Sequence, residues 1–82
     1  MQEIIDFVEY YSNQQFEGEE GSKELEFATR CNGDVGAEEY SQFDLDDANQ
    51  VALRVFDKFK DLVDTYSVDT CDEWVSLIIT LK

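Results

Sequence analysis

Between Asp46 and Tyr66 the chain reads DDANQVALRVFDKFKDLVDTY, with apolar residues at Val51, Val55, Phe59, Leu62, Val63 and Tyr66, and with Ala52 and Phe56 widening the stripe. That spacing predicts one long amphipathic helix. In a chain of 82 residues it leaves little else, so the remainder must cover the apolar face of that helix. Asp44, Asp46 and Asp47 stand at its start, where each acid gains about 0.3–1 kcal/mol from the helix dipole, and Lys58 and Lys60 follow further along, as the same dipole prefers.

The flanking segments supply the cover. Ile4, Phe7, Val8 and Tyr11 form one stripe of a short helix over residues 2–11, which Asn13 ends. In KELEFATR, Leu25 and Phe27 alternate with Glu24, Glu26 and Ala28, a period of two that predicts a half-buried strand from Lys23 to Arg30. Gln14 to Glu19 reads as a shorter partner, with its turn near Glu20 and Gly21. Asn32-Gly33-Asp34 is a turn signal, since Asn and Gly adopt positive φ cheaply, and a third strand from Glu38 to Phe43 pairs back after it.

The C-terminal stretch reads two ways. Trp74, Leu77, Ile78 and Leu81 have helical spacing, while Val75, Leu77, Ile79 and Leu81 alternate as a strand would. Thr70 with Glu73 matches a capping box, which favours the helix. The expected fold is α+β: one domain over residues 1–82, a three-stranded antiparallel sheet packed against helices, in the order α-β-β-β-α-α. The sheet lays Leu25 and Phe27 on the long helix, and Trp74 and the six Phe residues are most simply core.

Charge narrows the function. Twenty acids against six bases give a net charge of −14. Such a surface repels phosphate, so direct nucleic-acid binding is not expected, nor attachment to anionic membrane. No stretch is long and apolar enough to span a bilayer, and MQEIIDFVEYY lacks the basic start of a signal peptide, so the expected location is the cytosol. Cys31 and Cys71 match no metal or redox spacing, which favours free buried thiols over the alternative, a disulfide. The chain has no Pro to mark a linker, and no internal repeat.

Chemistry finds little foothold. There is no His, the commonest general base and metal ligand, and no Gly-rich phosphate loop or nucleophile elbow. DLDDANQVALRV superficially matches a calcium loop at Asp44 and Asp46, but Asn49 stands at the required Gly and Val55 at the closing Glu. The adjacent pair Glu38-Glu39 is more simply solvated surface than an acid–base couple. The expectation is a non-enzyme with no catalytic residues, metal or cofactor.

What remains is the charge itself. A chain this long folds to a body about 30 Å across, over which duplex DNA carries about 18 phosphate charges. A net charge of −14 is within a factor of two of that. The acids also cluster, at Glu17, Glu19 and Glu20, from Asp34 through Glu38 and Glu39 to Asp47, and from Asp69 through Asp72 to Glu73. A salt-adapted protein would instead thin out its large apolar residues. These features point to a mimic of nucleic acid. The alternatives are an immunity protein that masks a basic nuclease toxin and a plain acidic interaction module.

The run KELEFATRCNGDVGAEEYSQFDLDDANQVALRVFDKFKDL, the acidic turn VDTCDEW and the ending IITLK together resemble the small acidic phage-encoded type II-A anti-CRISPR proteins. The resemblance rests on order and length: Asn32-Gly33-Asp34, then Glu39-Tyr40, a long helix with Phe56 and Phe59, the acids Asp69, Asp72 and Glu73, and Ile79 to Lys82. It implies a three-stranded antiparallel sheet and a monomeric inhibitor of the guide-RNA-loaded CRISPR nuclease, acting in the cytoplasm of the infected bacterium. It further implies that Asp34, Glu38, Glu39, Tyr40, Asp69, Asp72 and Glu73 face the cleft that reads the motif flanking the target. Glu17, Glu19 and Glu20 have no counterpart in that family, and enter as candidate partner-binding residues on charge alone.

Overall fold

The computed structural model describes residues 1–19, 21–29, 42–70 and 75–82. Six elements follow in order: helix α1 (Gln2–Tyr11), strands β1 (Gln14–Phe16) and β2 (Glu24–Thr29), helix α2 (Gln42–Lys58), and strands β3 (Val63–Thr70) and β4 (Val75–Leu81). The fold is α+β, with two helices and a four-stranded antiparallel sheet ordered β1-β2-β4-β3. The last strand lies inside the sheet, between β2 and β3.

Both helices lie on one face of the sheet. Ile4, Ile5 and Val8 of α1 and Val51, Ala52 and Val55 of α2 close on Leu25, Phe27, Val63, Leu77 and Ile79. Full burial of a Leu, Ile, Val or Phe side chain is worth about 1.5–3 kcal/mol, and this cluster is the main favourable term. Side chains also tie the layers. The Asn13 backbone N–H donates to Asp47 Oδ2 at 2.8 Å, joining the entry to β1 to α2, and the Phe16 N–H donates to Glu9 Oε2 at 3.2 Å.

The expected strand over residues 23–30 is β2, and its partner over 14–19 is the shorter β1, paired through Gln14↔Thr29 and Phe16↔Phe27. Three expectations are corrected. The long helix stops at Lys58 instead of running to Tyr66: backbone bonds from Leu62 and Val63 to the Phe59 carbonyl close a turn, and β3 begins at Val63. The third expected strand, Glu38 to Phe43, lies largely outside the described residues, but Gln42 and Phe43 are the first residues of α2. Finally, the C-terminal segment is strand β4 rather than a helix, and Thr70 ends β3 instead of capping a helix. The sheet therefore has four strands, not the three expected from the sequence and implied by the resemblance, and the element order is α-β-β-α-β-β, not α-β-β-β-α-α.

The side chains explain the outcome at the C-terminus. Val75, Leu77 and Ile79 are buried, while Ser76, Ile78 and Thr80 are half-buried on the opposite face, an alternation that suits a central strand. Of the six Phe residues, Phe27 is fully buried and Phe7, Phe16 and Phe59 pack against the core, whereas Phe43 is 71% exposed and Phe56 40%. Trp74 lies outside the described residues. No described helix is long and apolar enough to cross a membrane.

Candidate functional site

Both described helices lie on one face of the sheet, and on the other Glu24, Glu26, Thr65, Ser67 and Asp69 are exposed while Ala28, Ser76, Ile78 and Thr80 are half-buried. Burial of Leu25 and Phe27 fixes which face that is: with a side-chain period of two, Glu24, Glu26 and Ala28 must point outward. Register carries the pattern across. Glu24 is opposite Thr80, which is opposite Thr65; Glu26 is opposite Ile78, then Ser67; Ala28 is opposite Ser76, then Asp69. The outer face is thus a lawn of hydroxyls with Ile78 near its centre and carboxylates toward both sides. Strands are about 4.8 Å apart, and same-face neighbours along a strand about 6.6–6.8 Å apart.

Three of the sequence-derived candidates lie on or beside this face. The Glu17 N–H donates to the Glu26 carbonyl at 2.8 Å, which continues the β1–β2 pairing and sets Glu17 next to Glu26. Glu19 borders a shallow hollow of about 210 Å³ with Ser22, Glu24, Glu26 and Ile78. Asp69 is exposed on β3, opposite Ser76, two strands from β2. The fold so gathers Glu17 and Glu19 at one side and Asp69 at the other. The candidates Glu20, Asp34, Glu38, Glu39, Tyr40, Asp72 and Glu73 lie outside the described residues, as do Cys31 and Cys71.

Glu24 and Glu26 are the site residues that sequence reasoning passed over. Their alternation with Leu25 and Phe27 marked them as the wet side of a strand. What the alternation did not carry is that this wet side belongs to a four-stranded face shared with Asp69, since that needs the β2–β4–β3 pairing.

Five of the six bases are among the described residues. Arg54 and Lys58 are on α2 and Lys60 follows it directly, while Lys23 and Lys82 sit at strand ends. Within the described residues of β2, β3 and β4 the charged side chains of the outer face are acids, and Lys82 follows β4, its N–H donating to the Leu62 carbonyl at 2.9 Å. Acids also occur in the helical layer, at Glu3, Asp6, Glu9, Asp44, Asp46, Asp47 and Asp57, but there they share the layer with Arg54 and Lys58 of α2. Asp44 and Asp46, the two positions that matched a calcium loop, are in the first turns of α2, and Asp46 Oδ1 accepts a bond from Gln42 Nε2 at 3.0 Å.

No protein-family model matches the chain, and neither the curated proteins nor the solved structures compared with it give a significant match.

Proposed function

We propose that this protein is an acidic decoy for nucleic acid, whose uncovered sheet face enters a basic DNA-binding cleft and keeps DNA out. The carrying observation is the placement of charge: Glu17, Glu19, Glu24, Glu26 and Asp69 lie on or beside an exposed face whose strands hold no base among their described residues, and Arg54 and Lys58 lie in the other layer. Over its longest dimension of 40 Å the body carries a net charge of −14, against about 24 phosphate charges on the same length of duplex. Carboxylates take arginine guanidinium groups in paired, charge-assisted bonds, as phosphates do.

The partner that fits best is a guide-RNA-loaded CRISPR nuclease in an infected bacterial cell. Its site for the motif flanking the target reads DNA with arginines. The order of acidic turns that resembles the type II-A anti-CRISPR proteins favours this partner; the four-stranded sheet departs from that family, so the reading rests on charge and not on fold. The protein needs no catalytic group, metal or cofactor for this role. Oppositely charged surfaces speed association, and salt slows it.

The test is a mobility-shift assay of target DNA with the guide-loaded nuclease. The wild-type protein is expected to abolish the DNA shift. Glu24→Lys/Glu26→Lys, and separately Asp34→Lys/Glu38→Lys/Glu39→Lys, are expected to restore it with the fold intact by circular dichroism. Undiminished DNA binding across a panel of guide-loaded nucleases overturns the nuclease assignment, and full inhibition by both variants overturns the acidic surface. Equal binding to a nuclease without guide RNA reassigns the protein to masking a basic nuclease.

A further inference from the structure

Helix α1 turns a different kind of surface to solvent, in the helical layer away from the acidic sheet face. Between α1 and the end of α2 runs an open groove of about 480 Å³ walled by Phe7, Tyr10, Tyr11, Lys58 and Phe59. Its rings touch in sequence: Tyr10 to Tyr11 at 4.7 Å between centroids, Tyr11 to Phe7 at 4.6 Å, and Phe7 edge-on to Phe59 at 5.8 Å. Tyr10 is 80% exposed and Tyr11 53%. The solvent side of a surface helix ordinarily carries polar residues, and grouped exposed aromatics mark a contact surface.

The groove's chemistry selects its occupant. One cation already lies on these rings: Lys58 Nζ is 5.2 Å from the Phe7 centroid and 5.8 Å from that of Phe59. The inner half is therefore filled by the protein's own ammonium, and the outer half, Tyr10 and Tyr11, has Glu3 and Asp6 in the same lining. An apolar side chain seated there would strip water from those carboxylates without replacing it. An anion meets a net charge of −14. A planar guanidinium satisfies both parts, stacking on the tyrosine faces while its N–H fork reaches the carboxylates.

We infer that the α1–α2 groove binds an arginine side chain presented by a partner protein, held by Tyr10 and Tyr11 and by Glu3 and Asp6. This site does not depend on the decoy function, and its test contains no nuclease. The probe is the capped tripeptide acetyl-Gly-Arg-Gly-amide, titrated into the isotopically labelled protein at low salt and followed by amide chemical shifts. The shifts are expected to concentrate at residues 3–11 and 58–59 and to saturate. The lysine analogue is expected to bind at least threefold more weakly, and Tyr10→Ala/Tyr11→Ala to weaken the arginine peptide about fivefold. Gln50→Ala, exposed on α2 outside the groove lining, is expected to leave it unchanged. Both tyrosines are exposed, so the fold should survive; Tyr10→Leu/Tyr11→Leu, which keeps apolar bulk without a ring face, gives a second reading with the same expected loss. Largest shifts at Glu24 and Glu26, equal response to the lysine peptide, or unchanged affinity in the tyrosine variants would each overturn the site.

Discussion

Gln14 and Thr29 face each other across the β1–β2 pair, and the Gln14 side-chain amide donates to the Thr29 hydroxyl at 2.6 Å. Thr29 in turn donates to the Val75 carbonyl at 3.3 Å, so one buried relay crosses three strands. The amide oxygen of Gln14 has no hydrogen-bond partner in the interior. A buried polar group left unpaired costs about 1–3 kcal/mol, whereas removing both partners of a bond is nearly neutral. Thr29→Val is therefore expected to destabilise by about 1–3 kcal/mol, and Gln14→Met/Thr29→Val to regain most of that loss. Urea denaturation of the single and double variants measures the coupling. Additive losses would show that the two side chains do not act as a pair.

Asp47 is the side-chain tether between α2 and the link from α1 to β1. Its Oδ2 accepts the Asn13 N–H at 2.8 Å in a half-buried setting. Hydrogen bonds to charged groups contribute about 1.5–3 kcal/mol. Asp47→Ala is expected to lower stability accordingly, and Asp46→Ala, one residue away and exposed, to cost no more than the dipole's about 0.3–1 kcal/mol. Equal effects would remove the tether from the account.

Gly21 adopts φ +86, and a Cβ built there meets nothing within 4 Å. Any cost of adding one is thus backbone strain alone. Gly21→Ala is expected to destabilise by about 1–2 kcal/mol, and Gly21→Asn by less, because Asn enters the left-handed region more readily. Thermal unfolding of the two variants tests the order. An alanine variant as stable as wild type would contradict the conformation of this turn.

A body of net charge −14 repels itself, and most of its described acids are exposed. Raising salt from 10 mM to 1 M shortens the screening length from about 30 Å to about 3 Å. Potassium chloride is therefore expected to raise the unfolding temperature steadily across that range, opposite to its effect on association with a basic partner. A flat or falling curve would mean that attractive charge pairs outweigh the repulsion.

How far the chain announced this fold differs by element. Helix α1 and strand β2 were legible because a single period operates: Ile4 and Val8 are buried one helical turn apart, and Leu25 and Phe27 are buried two residues apart. The end of α2 was not. Val63 and Tyr66 both face the core three residues apart, a helical spacing that no regular strand has; a register shift between Val63 and Thr65, around Asp64, brings them to one face. With neither Gly nor Pro near Lys60, nothing local signalled the break. At the C-terminus, Ile78 blurred the alternation because it sits on the outer face, where a polar residue was expected. The capping-box signature at Thr70 and Glu73 then weighed toward helix, while the neighbours β2 and β3, distant in sequence, decided for strand. The acidic face was half legible for the same reason. Its members could be read one by one, but the adjacency of Glu26, Ile78 and Ser67 exists only through pairing.

The placement of β4 between β2 and β3 has a consequence for how the molecule is made. Among the described residues, strands β2 and β3 have no hydrogen-bonded edge in common and are joined through residues 75–81 of β4. While the ribosome is still releasing the first seventy residues, the hairpin of β1 and β2 and the lone β3 have no central partner. Sheet assembly must therefore wait for residues 75–81 to emerge, and it then proceeds through contacts of long sequence separation, which form slowly. Until that moment the carboxylates of the growing polypeptide hold its ribbon edges apart from those of neighbouring chains.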